Sequence, residues 1–419
     1  MFALVDANAF YCSAEQVFRP DWRGRPIVVL SNNDGCVVAA NKQAKAAGVE
    51  KFKAFFEVRE LCQRAGVIAL SSNYELYGDL SAKMMQIIGR FAPEQHIYSI
   101  DESFLSFRRV YPAIKDLTSQ GAAIRRAVWK EARLPVCVGI GPTLTLAKAA
   151  NHAAKKLDGF SGVCVIDSEE RRQQILEQMA VGDVWGIGRR ISARLEQMDI
   201  CTAWQLSKMP PQLARKQFSI EIERTVRELG GIPCKQWDEA RADKKQIFST
   251  RSVGKRITDV NSLSQAIAKH VGIAAAKARK QGSLTSAVLV FANNSPYDER
   301  PVGFKQIVRF PVPTNCSAVI TSAVSRVVPE LYRPGVRYYK IGVGLLELIS
   351  DLHYQPDLFA PAPADPRLMQ ACDALNNRYG SSTLFLAAQG IEQKWAMRRE
   401  LLTPQYTTNW RHLPLIMCK

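Results

Sequence analysis

Short apolar runs, broken by Gly, Pro, Asn and Asp, alternate along this chain with segments of helical period. Residues 2–5 form an apolar run closed by Asp6 and predict a strand. Asp34-Gly35, between apolar runs 26–30 and 36–40, predicts a hairpin. Asn41 and Asn73 are good N-cap residues and predict helices, the second running to about residue 91. Strands are predicted at 96–100 and 103–107, on either side of Asp101 and Glu102. A helix follows over 116–133, a strand over 136–139, a helix over Leu144–Lys156 and a strand over 162–166. Strands and helices mixed at this spacing predict an α+β sheet domain.

From 168 to 237 the pattern is helical with Gly and Pro breaks, and 238–245 is polar without an apolar period, as in a linker. A second set follows: strand Ile247–Ile257, helix 263–281, strands 284–293 and 304–311, helix Ser317–Leu331 and strand 338–346. That order is β-α-β-β-α-β, the split βαβ arrangement. Beyond Leu348 come a Pro-rich joint and a basic tail.

At 419 residues the chain is long enough for two to four domains of roughly 100–200 residues. A hydrophobic share of 47% supports folded cores. Lys plus Arg number 56 against 39 Asp plus Glu, a net charge of +17, which attracts polyanions: nucleic acid first, anionic membrane second. No apolar run reaches the roughly 18 residues that a membrane span needs. The N-terminus meets Asp6 too early for a secretory signal, so a cytoplasmic protein is expected. The ten cysteines include no Cys-x-x-Cys pair, which argues against a zinc ribbon and for reduced thiols.

Asp6, Asp101 and Glu102 carry the candidate chemistry. Neighbouring residues of a regular strand point to opposite faces, so Asp101 and Glu102 converge only if the chain turns there. Three carboxylates at sheet ends can hold two Mg²⁺ ions, which prefer oxygen ligands and share their shell with phosphates. Two such metals about 4 Å apart stabilise the attacking and leaving oxygens of phosphoryl transfer. Singly, an Asp at a strand end is usually a cap, and Asp-Glu in a hairpin is usually solvated.

The surrounding motifs decide between these readings. Asp6-Ala7-Asn8-Ala9-Phe10-Tyr11 and Ser99-Ile100-Asp101-Glu102-Ser103-Phe104 resemble the first two motifs of Y-family DNA polymerases. Segments 26–37, 71–77 and 183–192 resemble the UmuC branch, and the ordered resemblance covers nearly the whole chain. It implies a right-hand polymerase fold: an α/β palm (1–10 and 75–166), small fingers (11–74), a helical thumb with a helix-hairpin-helix (167–237), a linker (238–246), a β-α-β-β-α-β little finger (247–347) and a C-terminal tail (348–419). It implies error-prone translesion synthesis in DNA repair and SOS mutagenesis, without a proofreading exonuclease, by a cytoplasmic, nucleoid-associated enzyme. Asp6, the Ala7 carbonyl, Asp101 and Glu102 would bind two Mg²⁺ ions. Tyr11 would be the steric gate against a 2′-hydroxyl, with Phe10 beside it.

Lys155 matches the family's triphosphate lysine, with Lys156 as its neighbour; Lys148, seven residues earlier, shares its helix face. Lys42 and Lys45 lie near a helix N-terminus, where phosphate is favoured, although many family members carry Tyr and Arg there. Val37, Val38 and Ala39 fall where the family's fingers cover the nascent base pair, and read equally well as strand core. Gly186, Gly188, Arg189 and Arg190 fit a phosphate-binding turn, and Arg251, Lys255 and Arg256 a basic strand edge on DNA. Gln355, Leu358 and Phe359 resemble the bacterial peptide that binds the sliding clamp. The tail, with Trp395, Arg398, Arg399, Trp410 and Arg411, is where the resemblance places a processed UmuD-type dimer and RecA. The partners expected are thus primer-template DNA, dNTP, clamp, UmuD-type dimer and RecA, with no membrane. The rivals are a two-metal nuclease and a catalytically silent DNA-binding scaffold.

Overall fold

A computed structural model of the chain describes residues 1–110, 113–114, 116–236, 243–354, 359 and 364–415. The chain divides into two compact units: Met1–Ser31 with Gly35–Glu239 and Leu401–Lys419, and Asn32–Asp34 with Ala240–Glu400.

The first unit opens with β1 (Phe2–Ala7), α1 (Phe10–Glu15), β2 (Ile27–Leu30), β3 (Val37–Ala40), α2 (Lys42–Ala46), α3 (Phe55–Arg64), β4 (Ile68–Ser71) and α4 (Tyr74–Gly89). It continues with β5 (Glu94–Ile97), β6 (Glu102–Ser106), α5 (Leu117–Ala132), β7 (Val136–Gly141), α6 (Leu144–Lys156) and β8 (Val163–Val165). A helical run completes it: α7 (Glu169–Glu177), α8 (Arg189–Glu196), α9 (Ala203–Ser207), α10 (Pro211–Gln217) and α11 (Ile220–Leu229).

The main sheet has the order β5-β6-β1-β7-β8, with β1 antiparallel to both neighbours. β1 is apolar almost throughout because helices cover both sheet faces. Ala3, Val5 and Ala7 enter the core built with α4 and α5, where Met84, Ile88, Ile124 and Val128 lie. Phe2 and Leu4 alternate to the other face, against Leu144 and Ala147 of α6. By the same alternation Asp6 belongs to the α6 face, and so does Glu102, two residues before Phe104.

α6 approaches the sheet closely. A Cβ on Gly139 would stand 2.0 Å from the Asn151 nitrogen and 2.4 Å from the Ala147 carbonyl. The Asn151 amide donates to the Leu4 and Cys137 carbonyls at 3.2 and 2.9 Å, clipping the helix to β1 and β7. At the helix start, the buried Glu228 of α11 accepts from the Thr145 N–H (2.9 Å) and hydroxyl (2.7 Å).

The smaller sheet has the order β3-β2-β4. β2 and β3 are antiparallel, as the Asp34-Gly35 signal predicts, but the connection is a helical turn over Asn32–Asp34 rather than a two-residue loop. Asn33 and Asp34 take the left-handed conformation there, which these residue types tolerate. Asn41 and Asn73 cap α2 and α4 as expected. The helix α3 and the parallel strand β4 are not among the predicted elements; Ala54, just before α3, offers no capping side chain, so the helix start carries no signal.

The second unit contains β9 (Ile247–Ile257), α12 (Val260–Gln281), β10 (Ser283–Asn293), β11 (Gly303–Thr314), α13 (Ser317–Leu331), β12 (Tyr338–Ser350) and α14 (Pro366–Tyr379). Its sheet, in the order β11-β10-β12-β9, is antiparallel throughout and has the predicted β-α-β-β-α-β connectivity. The last strand runs to Ser350, beyond the expected 346.

The segment 348–419, read from the sequence as one tail, divides between the units. α14 lies in the second, where Asp373 pairs with Arg279 at 2.6 Å. Leu401 onward lies in the first: Leu401 and Ser71 exchange hydrogen bonds of 2.9 Å, and Tyr406 stacks on Phe18 at 4.7 Å.

Candidate active site

The strand register explains why two of the three carboxylates meet. Asp6 and Glu102 are direct partners across the antiparallel β1–β6 pair. Like charges in that position repel unless countered. Both counter-charges come from α6: Lys155 lies 2.5 Å from Asp6, and Lys148 lies 2.7 Å from Glu102. The seven-residue spacing sets the two lysines about 10 Å apart along the helix, each over its own strand.

Burial raises the Asp6 carboxyl above its ordinary value; Lys155 draws it back, and Glu102 and Asp101 add to the rise. Asp101 sits in the turn before β6. Its carboxylate accepts from the Ser99 hydroxyl at 2.6 Å, and its carbonyl accepts from the Ala7 N–H at 3.0 Å. The chain bends through Asp101, and β6 begins at Glu102. Each carboxylate is nevertheless held by its own protein partner. Among the described residues no three metal-ligating side chains are gathered to ligating distance.

Lys148 also sits among aromatic rings, 4.6 Å from Tyr98, 5.3 Å from Trp185 and 5.9 Å from Phe104. The Trp185 indole donates to the Tyr98 hydroxyl at 3.2 Å. Cation–π attraction thus holds the lysine over Glu102. Lys156 turns instead to Asp183 at 3.3 Å, which leaves Lys155 as the lysine at the carboxylates.

Lys45 is exposed on α2, and burial, then the ammonium groups of Lys51, Lys156 and Lys155, hold it below its ordinary value. Positive charges crowded in this way attract negative charge. Lys42 is exposed on the same short helix.

Tyr11 follows a tight turn in which Ala9 is left-handed. Tyr77 stacks on its ring at 4.5 Å and 18°, and Tyr74 meets it edge-on at 6.2 Å. Burial, then Tyr74 and Asp101, raise the Tyr11 hydroxyl above its ordinary value, so the ring stands near the acidic turn. Phe10 departs from the expected nucleotide contact. It is 3% exposed in the core, where the helical turn directs it inward behind Tyr11. Val37 and Ala39 are core as well, and only Val38 of that trio is half-buried.

Gly186 takes φ +90° and Gly188 opens α8, leaving Arg189 and Arg190 exposed at its N-terminus. In the second unit Arg251 and Lys255 are exposed on edge strand β9. Arg256 is instead committed to Asp298 by two bonds of 3.0 and 3.1 Å. Phe359 is exposed, whereas Gln355 and Leu358 lie outside the described residues.

Comparison with known proteins shows the family. Residues 5–152 match the impB/mucB/samB family, and residues 244–358 match that family's C-terminal domain. Over 419 residues the chain is 42% identical to Protein UmuC of Salmonella typhimurium, covering 99% of each. The chain belongs to the impB/mucB/samB family of Y-family DNA polymerases. It is also 26% identical over 399 residues to DNA polymerase IV 2 of Bacillus subtilis, covering 92% of this chain and 93% of the relative. A Y-family DNA polymerase chimera built on Dbh superposes with a TM-score of 0.63 at 19% identity, covering 84% of this chain and all of that one. This family member therefore has the Y-family polymerase fold. Residues 366–416 match a domain of unknown function, DUF4113. No helix among the described residues is long and apolar enough to cross a membrane.

Sequence reasoning assigned no role to Tyr77, Glu15, Lys51 or Thr403. Tyr74 and Tyr77, three apart on α4, were a legible pair of aromatic neighbours. Glu15 and Thr403 meet their partners across long sequence separations and left no local mark.

Proposed function

We propose that this Y-family polymerase performs error-prone translesion synthesis, joining a dNTP to a primer 3′-hydroxyl opposite damaged bases during SOS mutagenesis. The observation that carries the reading is the facing pair Asp6 and Glu102, with Lys155 at Asp6 and further lysines beside it. The donor set is hard oxygen throughout, which suits Mg²⁺. Asp6, Asp101, Glu102 and the Ala7 carbonyl would hold two such ions, which supply Lewis-acid stabilisation of the reacting oxygens.

The chain's own residues do the rest. Lys155 and Lys45 bind triphosphate oxygens as point charges. Tyr11 lies against the sugar and excludes a 2′-hydroxyl. In this reading the five-stranded sheet is the palm, the three-stranded sheet the fingers, α7–α11 the thumb and the second unit's sheet the little finger. Arg189, Arg190, Arg251 and Lys255 hold DNA phosphates without reading sequence. The peptide at 355–359 binds the sliding clamp. A processed UmuD-type dimer and RecA act through the tail, at the DNA in the cytoplasm.

The test is primer extension on templates with and without an abasic site, using wild type and Asp101→Asn, with and without clamp, UmuD-type dimer and activated RecA. Extension past the lesion that disappears in Asp101→Asn is expected. No extension by wild type with every partner present overturns the reading and leaves a nuclease or a silent scaffold.

A further inference from the structure

We propose that Glu15, Tyr77 and Thr403 are positioning residues for Tyr11, so that the segment starting at Leu401 helps to set discrimination between deoxy- and ribonucleotides. The proposal rests on the reading of Tyr11 as the steric gate.

Tyr77 is fully buried and lies flat on Tyr11. Its hydroxyl donates to Glu15 Oε1 at 2.7 Å. The ring that backs the gate is therefore anchored at its far end to a carboxylate with no exposed surface. Glu15 Oε2 has no hydrogen-bond partner among the described residues. Burial pushes this carboxyl up to about 7, while the hydroxyls of Tyr77 and Thr403 draw it down, so Thr403 is the other polar group near it. A buried polar oxygen short of a partner is costly, which ties the carboxylate to whatever polar group stands beside it.

Thr403 is itself fixed. Its side-chain oxygen accepts from the Asn73 amide at 3.0 Å, and Asn73 also caps α4, accepting from the Leu76 N–H. α4 carries both Tyr74 and Tyr77, the two rings on Tyr11. The Leu401–Ser71 hydrogen bonds and the Tyr406–Phe18 stack hold the segment on either side of Thr403. One short stretch thus contacts the start of the helix that carries both rings, and its Thr403 hydroxyl acts on the carboxyl that anchors one of them. These residues fall within the match to a domain of unknown function, and this role belongs to its last part.

The experiment measures single-nucleotide incorporation with dNTP and the matching rNTP on one enzyme preparation. The readout is the ratio of their kcat/KM values, in which any loss of folded enzyme cancels. Thr403→Val and Tyr77→Phe should each lower the ratio about tenfold. Thr403→Ser, which keeps the hydroxyl, should restore it, and Glu15→Gln should give an intermediate loss. Tyr11→Ala is the reference. If Tyr11→Ala lowers the ratio while Thr403→Val and Tyr77→Phe leave it at the wild-type value, the proposal is overturned. If Tyr11→Ala also leaves it unchanged, the gate reading itself fails and takes the proposal with it.

Discussion

Lys155 places its ammonium 2.5 Å from the Asp6 carboxylate, across the contact between α6 and β1. A cation bound at Asp6 competes with that ammonium. In the proposed reading Asp6 would help to hold the metal, and Lys155, no longer needed as its counter-charge, would be available to a triphosphate.

Lys155→Met should therefore raise the KM for dNTP by about 10- to 100-fold, since a hydrogen bond to a charged group is worth about 1.5–3 kcal/mol. Steady-state incorporation over a range of dNTP concentrations checks this. Lys156→Met, whose parent pairs with Asp183, should change KM little.

Gly139→Ala should cost about 1–3 kcal/mol or more, the usual range for overpacking. The added carbon would meet the backbone of α6 at Asn151 and Ala147, where no side chain can move aside. Because α6 carries Lys148 and Lys155, incorporation should fall further than the folded fraction. Urea unfolding and kcat on the same sample separate the two effects.

Glu15 makes stability depend on pH. Burial raises its folded pKa from 4.5 to about 7. The folded chain then holds the proton more tightly than the unfolded chain, so this contribution is complete below about pH 4.5 and is lost as pH rises through 7. At about 1.4 kcal/mol per pKa unit the loss is on the order of 3 kcal/mol. Glu15→Gln should remove it, gaining on wild type between pH 5 and pH 8 in urea unfolding. A constant difference between the two proteins would contradict the burial argument.

DNA binding should separate three basic residues of β9. Arg251→Ala and Lys255→Ala should each reduce the slope of log affinity against log salt by about 0.9, the value for one phosphate contact. Arg256→Ala should leave the slope near wild type, because its guanidinium is already paired with Asp298. Fluorescence anisotropy at several salt concentrations measures all three.

The legible parts of this fold are those with local signals. α6 matches its predicted bounds because Thr143 caps it and small apolar residues repeat along the face on the sheet. Ile247–Ile257 and Ser317–Leu331 also match, being long and strongly patterned. α1 was not read from the pattern, since it begins after a left-handed Ala9 without a side-chain cap. Asp6 and Glu102 could be proposed from their motifs, and their register confirms that they face one another. Their lysine partners needed the packing of α6 on β1 and β6, which no periodicity announces. The links from Glu15 to Tyr77 and from Asn73 to Thr403 span 62 and 330 residues, beyond the reach of any local pattern.

The return of Leu401 onward to the first unit has a consequence for the order of synthesis. A ribosome makes Glu15, Ser71 and Asn73 early, then the whole second sheet, and only then Leu401 and Thr403. The partners of Ser71 and Asn73 emerge only after the second sheet. Completion of the first unit is thereby postponed until the second sheet has been made, and a message broken shortly before Leu401 would encode every strand of both units yet leave the first unfastened.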